Sequence, residues 1–173
     1  MAIRMTPEEY RAFLKKANLS RNKKAAEEMM SQLPPIESLP PKYWNVKVYV
    51  YEDGTVDENK SLTGHGKVKE KYDSRREYFR SIELGLLQRA GRISGLSRQK
   101  RLEIQPSFMS GKERVHAIFY VADFFYKTQD GKEVVEDVKG FDVKTGKYRS
   151  TEAFRIKWKL LKYKYPQYVF VLY

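Results

Sequence analysis

The chain has 173 residues, 41% of them hydrophobic, which is enough for one compact domain with its own core plus an extension, and too apolar for a disordered chain. The absence of cysteine excludes a disulfide framework, a thiolate zinc site and a cysteine nucleophile, and no apolar run reaches the length of a membrane span. The formal charge of +12, from 34 Lys and Arg against 22 Asp and Glu, favours a polyanionic partner, because neutralised phosphates release their counterions.

In chain order, Thr6-Pro7-Glu8-Glu9 combines an N-cap, a proline at the first helical position and an acidic third position, which predicts a helix to about Ala17. Ser20 caps a second helix to about Gln32. Pro34-Pro35 and Pro40-Pro41 cannot continue it, so residues 1–43 read as a helical extension with a Pro-rich linker. Residues 44–71 read as a strand, alternating Val46, Val48 and Val50 with Lys47, Tyr49 and Tyr51, followed by a polar loop from Glu52.

Residues 72–173 form the more regular part. A helix runs from Ser74 to Ala90, with Gly91 ending it. Strands are predicted over Arg101–Phe108, Val115–Lys127 and Glu133–Phe141, then a helix over Thr151–Lys164 and a last strand over Tyr168–Tyr173. Charge follows the same division. Residues 1–72 carry 13 basic and 10 acidic side chains, and residues 73–173 carry 21 and 12, so the net charges are +3 and +9.

Period-two alternation puts Val115, Ala117, Phe119, Val121, Asp123 and Phe125 on one strand face, where a carboxylate among apolar neighbours needs a cation or a partner. By itself Asp123 reads equally well as a strand-end residue bonded to a loop. The following turn narrows this. Thr128-Gln129-Asp130-Gly131-Lys132 suits a three-residue loop with Gly131 left-handed. That loop faces Lys127 with Glu133, Phe125 with Val135, Asp123 with Asp137 and Val121 with Lys139. A two-residue loop would send Asp137 to the other face. Two opposed carboxylates repel unless a counter-ion joins them, and a divalent cation with oxygen ligands, typically Mg²⁺, serves. Glu136 falls on the opposite face.

Asp123 followed by Asp137-Val138-Lys139 on the next strand, between an upstream and a downstream helix, resembles the PD-(D/E)XK nuclease superfamily. The wording is closer still to a phage- and prophage-associated family of uncharacterised, resolvase-like endonucleases. Tyr72-Asp73-Ser74-Arg75-Arg76-Glu77, Leu86-Leu87-Gln88-Arg89-Ala90-Gly91, Leu102-Glu103-Ile104-Gln105-Pro106, Tyr120-Val121-Ala122-Asp123-Phe124 and Val134-Val135-Glu136-Asp137-Val138-Lys139-Gly140 carry this likeness over residues 72–173. One departure is Val121-Ala122, where the superfamily's name has proline. The resemblance implies an α/β (α+β) restriction-endonuclease-like αβββαβ core with a mixed central sheet. It also implies a Mg²⁺-dependent endodeoxyribonuclease, with Mn²⁺ substituting, acting as a homodimer on branched or Holliday-junction DNA in phage recombination or replication.

By the same resemblance Asp123, Asp137, the Val138 carbonyl and Glu77 bind metal, and Lys139 orients the attacking water and steadies the phosphate. Ser74-x-x-Glu77 is also a capping box, in which Glu77 bonds back to the Ser74 amide, so both roles stay open for Glu77. Arg75, Arg76, Arg89 and Arg92, together with the helix face Arg155, Lys159 and Lys162, are expected to track DNA phosphates. Phe154, Trp158, Leu161 and Tyr165 form that helix's core stripe, and Tyr120, Phe124 and Tyr126 read as core residues. Neither His65 nor His116 has ligand spacing, and no Gly-rich phosphate cradle marks a nucleotide cofactor. The segment MAIRMTPEEY offers no secretory signal, so the expected location is the cytoplasm, that of the host if the chain is phage-encoded. The competing reading is a nucleic-acid-binding module with a degenerate, non-catalytic nuclease fold.

Overall fold

The computed structural model describes residues 46–58, 60, 64–142 and 145–173. The expected helices before Gln32, the Pro-rich linker and the start of the first strand at Trp44 lie outside the described residues. The chain divides into two compact units, Met1–Arg92 and Ile93–Tyr173.

In the first unit, β1 (Val48–Tyr51) is the centre of an antiparallel sheet in the order β2-β1-β3, with β2 at Val56–Glu58 and β3 at Val68–Tyr72. Both partners fall inside the stretch expected to be loop. Their apolar signal is weak because β3 reads VKEKY and buries only Tyr72 fully. Helix α1 (Arg75–Arg89) begins and ends as expected. Ser74 is its N-cap, and Gly91 follows it at φ 71°, a left-handed conformation that favours glycine.

The second unit is a mixed α+β arrangement. Its four-stranded sheet has the order β11-β8-β7-β4, built from β4 (Ile93–Gln105), β7 (Ile118–Thr128), β8 (Glu133–Asp137) and β11 (Val169–Leu172). β4/β7 and β7/β8 are antiparallel, while β11 runs parallel to β8 after the crossover helix α2 (Glu152–Lys164). Thr151 caps α2, accepting the Phe154 amide at 3.2 Å. Two small ribbons interrupt the expected strands: β5/β6 (Phe108–Ser110, Glu113–Val115) and β9/β10 (Phe141–Asp142, Lys147–Tyr148). β4 starts earlier than expected, at Ile93, because a bulge between Ser94 and Ser97 accommodates Gly95 at φ 63°.

The β7–β8 turn has the geometry that the sequence predicts. The Thr128 amide donates to the Lys132 carbonyl at 2.9 Å, the Gly131 amide to the Thr128 carbonyl at 3.0 Å, and Gly131 sits at φ 79°. The ladder then pairs Lys127 with Glu133, Phe125 with Val135 and Phe124 with Glu136. A Cβ in that left-handed turn costs about 1–2 kcal/mol. Gly131→Ala is therefore expected to lower the unfolding free energy by that amount in a urea titration, whereas Gly131→Asn should be milder.

The face assignment of β7 needs correction. Tyr120 and Ala122, not Phe119 and Val121, enter the core, and Val121 is 46% exposed. Ala122 and Phe125, only three residues apart, pack into the same cluster with Leu102, Val135, Trp158 and Leu161. The alternation therefore slips once between them. The cause is local: β4 pairs Lys100 with Ala122 and Arg98 with Phe124 but skips Gln99 and Asp123, and Gln99 is left-handed at φ 52°. Asp123 thus sits at a break in both of its ladders.

Candidate active site

Beyond Glu136, β8 stops pairing with β7 and keeps its bonds to β11. The Tyr173 amide donates to the Asp137 carbonyl at 3.0 Å, and the Lys139 amide donates to the Tyr173 carbonyl at 2.9 Å. The two ends of a trans peptide point opposite ways, so the Val138 amide and carbonyl both point to the side of β7. There Asp123 Oδ2 accepts the Val138 amide at 2.8 Å. The predicted register thus brings Asp123 beside the Asp137-Val138-Lys139 segment, through a carboxylate–amide bond in place of one more ladder pair. The expected pairings of Asp123 with Asp137 and of Val121 with Lys139 do not form, because the β7/β8 ladder ends at Phe124 and Glu136.

Asp137 is buried, and its Oδ2 makes an ion pair but no hydrogen bond. Its Oδ1 accepts the Tyr120 hydroxyl, and its Oδ2 pairs with Lys139 Nζ. Lys139 Nζ also lies 4.5 Å from the centre of the Phe154 ring, a cation–π arrangement. Phe154 stacks on Trp158 at 5.3 Å, and Tyr120 packs on both rings at 6.2 and 5.7 Å. Helix α2 therefore serves the site as an aromatic wall beside the lysine and the tyrosine. Glu136 points away, buried, and accepts the Tyr126 hydroxyl at 2.8 Å.

Tyr120 and Phe154 belong to this site, although the sequence reads both as plain core residues. The available signal was the hydroxyl: a tyrosine buried in a strand needs a polar partner. Burial raises the Tyr120 pKa well above its ordinary 10.0, and the charge and hydrogen bond of Asp137 and the charge of Asp123 raise it further. A raised folded value means the neutral hydroxyl stabilises the fold fully below pH 10 or so, and that this contribution is lost as pH rises through the folded value. Tyrosinate absorbance is accordingly expected to show a late alkaline step coincident with unfolding, reduced by one tyrosine in Tyr120→Phe.

The remaining predicted residues are distributed as follows. Glu77, buried in the first unit, accepts the Asp73 amide at 3.1 Å through Oε2, and its own amide donates to Ser74 Oγ at 3.2 Å. This is the capping arrangement with the back-bond moved one residue upstream of Ser74. Arg75 forks onto Glu58, with Nε to Oε1 at 2.7 Å, and Arg76 is buried. Arg89 is half-buried and Arg92 exposed. Arg155, Lys159 and Lys162 are exposed along α2, as expected of a basic face.

Among the described residues no three His, Cys, Asp or Glu side chains cluster as a metal cage. Two carboxylates and a carbonyl still suit Mg²⁺, which dehydrates reluctantly and is commonly held by one or two carboxylates plus substrate phosphate and water. No helix among the described residues is long and apolar enough to cross a membrane. A family model described as "Protein of unknown function (DUF1064)" matches residues 66–171. No curated protein and no solved structure matches the chain.

Proposed function

The chain belongs to the DUF1064 family, and we propose that it is a metal-dependent DNA endonuclease, a cytoplasmic enzyme of the PD-(D/E)XK type that works as a homodimer on branched DNA. The observation that carries this reading is the meeting of Asp123 with Asp137-Val138-Lys139 where β7 and β8 part, in a strongly basic chain.

Asp123, Asp137 and the Val138 carbonyl would hold Mg²⁺ or Mn²⁺. Bound there, the cation supplies positive charge against the phosphate and lowers the pKa of a water. Tyr120 holds one Asp137 oxygen and so fixes the rotamer of that carboxylate. Lys139, restrained by Asp137 and the Phe154 ring, presents an ammonium that orients the attacking water and steadies charge developing on a phosphate oxygen. Arg155, Lys159 and Lys162 offer exposed cations for the DNA backbone.

Glu77 has a separate test. Its hydrogen bonds support the cap role, so Glu77→Gln, which keeps an acceptor oxygen, is expected to retain metal-dependent cleavage and near-native stability. Loss of cleavage with the melting curve unchanged would instead add Glu77 to the metal ligands.

The reading itself is tested by incubating the full chain with four-way junction, flap, duplex and single-stranded DNA, with and without Mg²⁺ or Mn²⁺. Cleavage that requires the cation and favours the branched substrates is expected. Binding to these DNAs without cleavage under any cation would replace it with a non-catalytic binding module.

A further inference from the structure

Resting on that reading, we infer that the exposed Arg101–Phe119 stack on β4 and β7 is a platform for an unpaired nucleobase of the DNA substrate. The slip of faces at Asp123 turns Phe119 and Val121 away from the core cluster, on the same strand as the candidate ligand Asp123. Arg101 pairs with Val121 across the β4/β7 ladder and reaches diagonally over Phe119, its guanidinium carbon 3.6 Å from the ring centre. At that distance the guanidinium lies against the ring, which leaves its other planar face to solvent; Arg101 is exposed. Val121, 46% exposed, adds apolar surface beside the guanidinium. Glu103, the acidic neighbour on β4, is drawn to Lys164 at 3.0 Å.

A cationic plane bordered by apolar surface fits the face of a base better than a phosphate alone, which needs charge but no plane. The strand rise is about 3.3 Å per residue, so Val121 lies within about 7 Å of Asp123 along β7. A base resting here belongs to the same substrate as the phosphate at the carboxylates, held on the opposite face of β7 from Asp137. Such a base is available only where the duplex is open, which makes junctions, flaps and single strands the preferred substrates.

The test uses the full chain with Ca²⁺ in place of Mg²⁺, and flap DNA carrying 2-aminopurine at the unpaired positions, beside a blunt duplex of equal length. Wild type is expected to quench 2-aminopurine at one or two of these positions. Arg101→Lys keeps the charge but loses the plane, so it should lose that quenching and bind the flap about tenfold more weakly, the scale of one stacked base. Its duplex affinity should hardly change. Phe119→Leu, which removes the ring beneath the guanidinium, should shift flap binding in the same direction. Equal affinity of wild type and Arg101→Lys for the flap, or equal weakening on flap and duplex, would overturn the inference. The absence of Mg²⁺-dependent cleavage would instead overturn the nuclease reading and leave this binding result standing.

Discussion

Asp137→Asn is expected to abolish metal-dependent cleavage, by on the order of a thousandfold or more, while the protein stays folded. The substitution is chosen for what it preserves. An asparagine oxygen can still accept the Tyr120 hydroxyl, so the buried tyrosine keeps its partner. What disappears is the negative charge that pairs with Lys139 and that would hold a cation. Asp137→Ala is a poorer probe, because it strands the Tyr120 hydroxyl as well, and an unsatisfied buried polar group costs about 1–3 kcal/mol. The check is a cleavage time course beside a thermal melt: activity should vanish and the melting temperature should move little.

The second large effect is on stability. Trp158 is 7% exposed, stacks on Phe154, and meets Tyr120 and Phe170 at ring distances of 5.7 and 5.3 Å. It joins α2 to the sheet and closes the aromatic wall behind Asp137 and Lys139. Trp158→Ala is expected to cost about 3–5 kcal/mol, a large part of the roughly 5–15 kcal/mol that holds a typical domain together. The urea midpoint should fall sharply, and the near-ultraviolet dichroism of the cluster should weaken even in the folded baseline. Trp158→Phe keeps a ring on Tyr120 and should lose distinctly less. If Trp158→Ala proved as stable as wild type, α2 would not be the support of the site described above.

Much of the fold from Ser74 onward is legible in the sequence because its signals are short-range. Ser74 and Thr151 start their helices, Gly91 ends one, and the Thr128–Lys132 turn fixes the β7–β8 register. That register ends one pair short of Asp123, whose carboxylate then reaches the Val138 amide. What is not legible is the slip of faces at Asp123, because it depends on Gln99, a residue on the neighbouring strand whose left-handed backbone nothing in its identity announces. Alternation along β7 alone therefore misplaces Phe119 and Val121 and hides Tyr120. The short strands β2 and β3 escape for another reason. Edge strands that bury one or two side chains need little apolar patterning, so Lys69, Glu70 and Lys71 read as loop.

Asp123 is the residue where local turn chemistry, the broken ladder and the proposed metal site converge. The most direct measurement is Mg²⁺-dependent cleavage of four-way junction, flap, duplex and single-stranded DNA by Asp123→Asn beside wild type. The amide side chain keeps an oxygen for the Val138 amide and loses only the charge. Cleavage by wild type and none by Asp123→Asn is the expected result; cleavage by both at the same rate would contradict the assignment of the site.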